Sequence, residues 1–259
     1  MKNLKTPLIL VVNDDGITAP GILSLVDVAK QFGKVTVVAP DKPQSGMGHA
    51  VTLNNTIRVD KTSKDGVDYF TCSGTPVDCV KIAVNKLMIQ RPDLIISGIN
   101  HGSNSSINVI YSGTMSAAVE GALEGIPSIG FSLCDHSIEA DFSAAKHFAK
   151  KIIEEFLLNN YKKGICLNVN IPKAPLDMIA GIKVCKQANG NWEEDFDERI
   201  DPNGKTYYWL TGKFVVYDQT NDTDEWALAN SYVSIVPIQY DVTDYSVIED
   251  LKHFENETN

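Results

Sequence analysis

Residues Leu8 to Gly16, LILVVNDDG, constrain this chain more than any other stretch, because an uninterrupted apolar run stops there at two adjacent carboxylates. A strand with one wet face alternates polar and apolar residues, so Leu8 to Val12 predict a strand buried on both faces. Asn13, Asp14 and Asp15 then sit at its carboxyl end. In an open parallel α/β sheet that edge carries the ligand crevice. Neighbouring Asp side chains repel each other unless a proton or cation intervenes. The pair is therefore expected to hold a hard divalent metal, whose preference for oxygen suits carboxylate, amide and hydroxyl donors. Taken alone, NDDG is also the composition of a polar turn.

The residues that follow alternate strand with helix. Thr18 and Pro20 open a helix with Ile22, Leu23, Val26, Ala29 and Phe32 on one face, and Gly33 ends it. Val35 to Ala39 completes a βαβ unit and finishes at the same edge as Asp14. Val51 to Asp60 and Asp68 to Cys72 predict a hairpin around Lys64, Asp65 and Gly66. Thr75 and Pro76 start a helix in which Asp78 complements the helix dipole. Strands over Leu94 to Ser97, Ile126 to Leu133 and Ile165 to Ile171 follow, with helices from about Thr114 to Leu123 and from Ala144 to Leu158. Residues 1–172 are thus expected to form an α/β core, a mostly parallel sheet between two helical layers. In residues 173–259 the pattern changes. Met178 to Lys186, Thr206 to Thr211 and Tyr232 to Ile238 predict antiparallel strands, separated by acidic segments at Glu193 to Glu198 and Asn221 to Glu225. This part is expected to be a β extension that pairs with itself or with another subunit. Trp192, Trp209 and Trp226 all fall in it and are expected to anchor a core or an interface. The ending from His253 to Asn259 is expected to fray.

Charge and cysteine usage remove several functional classes. With 23 basic against 33 acidic residues and a formal net charge of −10, a sequence-blind grip on nucleic acid polymers is excluded. A small phosphate ester remains compatible if a metal supplies positive charge locally. Cys72, Cys79, Cys134, Cys166 and Cys185 contain no CxxC pair, the usage of a reducing cytoplasm rather than of a disulfide framework or zinc site. The apolar run near the amino terminus is short, ends in charge and lacks a small-residue cleavage site, so a cytosolic first strand is expected. No stretch reaches the apolar length needed to span a bilayer.

Three polar loops leave the carboxyl ends of strands expected to be parallel: Asn13 to Gly16, Gln44 to His49, and Gly98 to Thr114. Topology brings them to one crevice. Ser45 can lend a hydroxyl and Asn100 an amide oxygen to a metal held by Asp14 and Asp15, an all-oxygen set suited to Mg²⁺, Mn²⁺ or Ca²⁺. Ser112, Gly113 and Thr114 open a helix whose backbone N–H groups can cradle a phosphate, although Ser112 or Thr114 serves equally well as a simple N-cap. Asn104 lies between Asn100 and that cradle, as a phosphate contact or a loop stabiliser. His49 and His101 border the loops without a partner visible in the sequence.

NDDG (Asn13 to Gly16), SGMGHAVT (Ser45 to Thr52), SGTPVDCV (Ser73 to Val80), SGIN (Ser97 to Asn100), VIYSGTMSAAVEG (Val109 to Gly121) and TDEWALANSYVSIVPIQYDVT (Thr223 to Thr243) together resemble the SurE family of survival-protein nucleotidases. The match covers most of the chain, in order. The resemblance implies a Rossmann-like three-layer α/β/α sandwich with a C-terminal antiparallel β extension exchanged between subunits, in homodimers or homotetramers. It implies a phosphoric monoester hydrolase that uses one divalent cation per subunit, Mg²⁺ or Mn²⁺, on nucleoside 5′- and 3′-monophosphates and on short polyphosphate. Carried over by position, the metal ligands fall on Asp14, Asp15, Ser45 and Asn100. The phosphate contacts fall on Asn104, Ser112, Gly113 and Thr114, beside Gly46, and Asp14, Asp15 and Asn104 are the expected catalytic residues. Ser106, Ile107 and Asn108 replace a glycine and an acidic pair common in the family, which withdraws an acid–base role from that segment and stiffens it at Ser106. Ser231 replaces another usual glycine. The competing expectation, from the class of binding proteins, is a nucleotide or metal sensor without turnover.

Overall fold

The apolar run forms β1 (Leu8–Val12), and its side chains divide between two layers. Ile9 and Val11 enter one hydrophobic cluster, Leu10 and Val12 another, and all four are fully buried. Burial on both faces, worth about 1.5–3 kcal/mol for each such side chain, is what the unbroken hydrophobicity predicts. The computed structural model describes residues 6–159, 161, 163–218 and 220–256.

In chain order the elements are β1, α1 (Pro20–Ala29), β2 (Lys34–Pro40), β3 (Val59–Lys64), β4 (Val67–Cys72), α2 (Pro76–Ile82), β5 (Leu94–His101), α3 (Gly113–Leu123), β6 (Ser128–Leu133), α4 (Ser143–Leu158), β7 (Cys166–Ile171), β8 (Gly181–Val184), β9 (Gly190–Ile200), β10 (Thr206–Val216), α5 (Asp224–Ala229) and β11 (Tyr232–Ile238). Among the described residues, nine strands form one sheet in the order β3-β4-β2-β1-β5-β6-β7-β11-β8. The run from β4 to β7 is parallel throughout. α1 and α4 cover one face, where Leu25 and Val26 meet Phe148 and Ile152. α2 and α3 cover the other, where Val80 and Ala117 pack on Leu10 and Val12. The expected three-layer α/β/α arrangement is therefore present. β1 lies between β2 and β5, so the strand order reverses at this point and a crevice opens beyond the carboxyl ends of β1 and β5.

Several local expectations need correction. The hairpin strand is Val59–Lys64, not Val51 to Asp60, because the backbone around residue 51 bonds elsewhere: Thr75 Oγ1 donates to the Ala50 carbonyl at 2.7 Å and the Thr52 N–H donates to the Asp78 carboxylate. Asp65 and Gly66, both with positive φ, make the tight turn. Asp78 completes a capping box with Thr75. β5 continues to His101, so Asn100 lies within the strand, after a bulge that shifts its register against β6.

The C-terminal part departs further. β11 pairs antiparallel with β7, and β8 pairs parallel, not antiparallel, with β11, so the main sheet continues beyond residue 172. The acidic stretch Glu193 to Glu198 is not a connector but part of β9, paired antiparallel with β10 in a two-stranded arm. Both faces of the arm are wet, so its strands carry no hydropathic alternation; the Lys213–Glu193 pair at 2.9 Å is one of its cross-strand contacts. Lys252–Asn256 forms a short helical turn. Residues 1–5 and 257–259, on which part of the reading of both ends rests, lie outside the described residues. Among the described residues no helix is long and apolar enough to cross a membrane.

Candidate active site at the carboxyl edge of the sheet

Asp14 lies two residues beyond the end of β1 and is 3% exposed. Burial, reinforced by repulsion from Asp15, pushes its carboxyl up to about 6 against the opposing hydrogen bond from Thr114. The Thr114 hydroxyl donates to Asp14 Oδ1. That contact ties the start of α3 to the end of β1 and requires a glycine between them. A Cβ on Gly113 would stand 2.7 Å from the Asp14 Cβ and 2.8 Å from its Oδ2. Ser112 is the N-cap of α3, accepting from the Met115 N–H at 3.0 Å, which leaves its hydroxyl hydrogen for a ligand. The capping role expected of Ser112 or Thr114 therefore falls to Ser112.

Asp14, Ser45, Gly46, Asn100, Asn104 and Ser112 line a single open cleft of about 620 Å³. Asn100 Nδ2 donates to the carbonyls of His101 at 3.1 Å and Gly102 at 2.9 Å, so Oδ1 is the atom it offers to the cleft. Asp15 is not among the residues lining the cleft, but its carboxylate lies 3.5 Å from Nδ1 of His101, which is. The Ser45 loop is fastened at both ends: Gln44 N–H donates to the Asp14 carbonyl at 2.8 Å and Gly48 N–H to that of Tyr111 at 3.1 Å. His49 adds a third fastening, donating from Nε2 to the buried Glu120 on α3 at 2.9 Å, where Lys81 also binds at 2.5 Å. Both histidines thus have acidic partners that no local pattern announces.

Asn104 is held from beneath. Its N–H donates to Asn170 Oδ1 at 2.8 Å, its carbonyl accepts from Asn168 Nδ2 at 2.8 Å, and its own Nδ2 donates to Ser132 Oγ at 2.9 Å. Asn168 and Asn170 escaped the sequence reading. Their signal was the alternation in LNVNI, two amides on one face of a strand whose other residues are apolar. Asp224, read as part of an acidic connector, is fully buried and accepts from the Ser106 N–H at 2.8 Å and the Ala188 N–H at 2.9 Å. Ser106 holds a left-handed φ of 52°, and its hydroxyl donates to the Ala188 carbonyl at 2.8 Å, which supports the expectation of a stiffened loop. Glu225 lines the cleft and accepts from Ser105 Oγ; burial raises its carboxyl. Trp192 is no core anchor: it is 41% exposed and walls the same cleft. Trp226 stacks on Tyr232 and Trp209 is exposed on the arm.

Two carboxylates, an amide oxygen and a hydroxyl suit a hard cation, and the mutual repulsion of Asp14 and Asp15 gives it something to neutralise. Among the described residues no group of three or more His, Cys, Asp or Glu side chains is placed to hold a metal.

An open, mostly parallel α/β sheet with a polar crevice at its switch point defines the general class. The family model for survival protein SurE matches residues 9–194. A protein named 5′-nucleotidase SurE from Christiangramia forsetii is 59% identical over 252 residues, 96% of this chain and 97% of that one. A protein of the same name from Flavobacterium psychrophilum is 56% identical over 97% of this chain and 99% of its own length. The crystal structure of the SurE protein from Aquifex aeolicus superposes with a TM-score of 0.84 at 37% identity, over 96% of this chain and all of that one. This chain belongs to the SurE family.

Proposed function

We propose that the chain is a nucleotidase, a phosphoric monoester hydrolase that releases phosphate from nucleoside 5′-monophosphates, and also from 3′-monophosphates and short polyphosphate. The observation that carries this reading is the meeting of Asp14 with the start of α3, where Gly113 leaves room for nothing larger and Ser112 presents a free hydroxyl hydrogen. The names of the relatives support the nucleotide as substrate.

Asp14, Asp15, Ser45 and Asn100 would hold one Mg²⁺ or Mn²⁺ per subunit. When bound, the cation supplies charge that polarises a phosphoryl oxygen and activates water. The chain's own residues do the rest. Asp14 and Asp15 hold water in line with the phosphorus. Backbone N–H groups from Ser112 to Thr114, with Asn104 and the open approach at Gly46, take up charge on the phosphoryl oxygens. The Asn168–Asn170 pair keeps Asn104 in place. Assembly into a homodimer or homotetramer is supported by the apolar exposure of the arm, where Phe196 is 59% and Leu210 63% exposed.

Phosphate release from adenosine 5′- and 3′-monophosphate, measured with added Mn²⁺ or Mg²⁺ and with chelator, tests the reading. Metal-dependent release from wild type, lost in Asp14→Asn, is expected. Nucleotide and metal binding without release would instead support a sensor.

A further inference from the structure

The cleft has two chemically different ends, and only the polar one is used by the phosphate chemistry above. Besides Asp14 and Ser112, the cleft is lined by aromatic side chains from the arm. Trp192 from β9 and Phe214 from β10 stand there with centroids 5.6 Å apart, in an edge-to-face arrangement that leaves an indole face open. The indole is oriented: its Nε1–H donates to Asn108 Oδ1 at 2.8 Å, so the polar edge is satisfied and the apolar body is what remains on offer. The wall is also fixed relative to the phosphate loop. Asp224 binds the N–H groups of both Ser106 and Ala188, and Ser106 Oγ binds the Ala188 carbonyl, joining the root of the arm to the segment that carries Asn104. Gly190 lies within this junction, where a Cβ would come 2.7 Å from Phe214 Cζ and 3.1 Å from Ser106 Oγ.

We propose that Trp192 and Phe214 form the wall on which the nucleobase of the substrate stacks, with Asn108 as the residue that positions the indole. This assignment rests on the nucleotidase reading. A substrate with an anionic phosphate at one end and a flat, neutral π-system at the other matches the two ends of the cleft. Stacking accepts every base, because each has a π-face. The wall therefore favours purines over pyrimidines by overlap area rather than by hydrogen bonding.

The test compares wild type, Trp192→Ala and Trp192→Phe on adenosine 5′-monophosphate and on ribose 5-phosphate, which lacks the base. For Trp192→Ala, KM for the nucleotide is expected to rise about tenfold, with ribose 5-phosphate unaffected and Trp192→Phe close to wild type. Equal losses on both esters, or no change on the nucleotide, would overturn the proposal. A second measurement does not depend on the alanine variant folding. In a Trp209→Phe, Trp226→Phe chain, Trp192 is the remaining tryptophan, since the sequence has three. Its emission is expected to be quenched saturably by adenosine and not by ribose; absence of quenching overturns the stacking wall. If wild type releases phosphate from neither ester, the nucleotidase reading fails, and the adenosine titration still decides the stacking wall.

Discussion

The carboxyl edge of β1 and β5 and the β9–β10 arm both carry acidic residues, and what lies behind the acids differs completely. At the edge, Asp14 stands on strands whose side chains are buried on both faces, and its neighbours are held by bonds from α3, β5 and β6. On the arm, Glu193, Glu194 and Asp195 are exposed, as are most residues of both strands. A two-stranded ribbon on its own is marginally stable in water. The edge is rigid because the core pays the entropy of ordering it once for many contacts, whereas the arm is anchored at its root, by Trp192, Phe214 and the Asp224 bridge, and offers its length to another surface. Acidic side chains are therefore built into the core in one place and solvated in the other.

Substitutions can break or sharpen that contrast. The largest effect is expected for Asp14→Asn, which should lower phosphate release by about 10²–10³-fold while leaving the melting temperature unchanged or higher, because a buried charge is removed. A steady-state assay and a thermal scan on one preparation check both halves. Next, Gly113→Ala forces the start of α3 away from Asp14 and should cost about 10²-fold in turnover, the scale of a misplacement near 1 Å. Ile96→Ala, in the centre of β5, should destabilise the fold by about 2–5 kcal/mol in urea unfolding, whereas Leu210→Ser on the arm should stay within about 0.5 kcal/mol and instead lower the oligomeric mass in light scattering. The smallest effect concerns Glu120. Burial raises its carboxyl, but the bonds from His49 and Lys81 outweigh this and hold it below its usual range. With the folded pKa below the unfolded one, the stabilisation is complete above the unfolded value of about 4.3 and is lost as pH falls through the folded one. Glu120→Gln should flatten the acid limb of the stability curve, read by unfolding at several pH values.

The edge was legible because its signals are local. A hydrophobic run that stops at NDDG, a serine three residues before the Met115 N–H it caps, and a topology that sends three loops to one side bring Asp14, Asn100 and Ser112 together without knowledge of distant contacts. The supports of the site were illegible for the opposite reason. Ser106 and Asp224 meet across 118 residues of sequence, and His49 and Glu120 across 71. Asn168 and Asn170 left an alternating pattern, but in a strand whose apolar residues already explained it. The arm defeated hydropathy outright, since a ribbon with two wet faces has no inward face to mark, and so nothing in the sequence placed Trp192 in the cleft wall.

On the proposed function, oxygen atoms of Asp14, Asp15, Ser45 and Asn100 hold one divalent cation beside the start of α3. Anomalous scattering from a crystal grown with Mn²⁺ and a nucleoside monophosphate tests it most directly. One manganese peak per subunit among those four side chains is expected, with the phosphate against Ser112 to Thr114. No peak there, in crystals of protein that still releases phosphate, would contradict it.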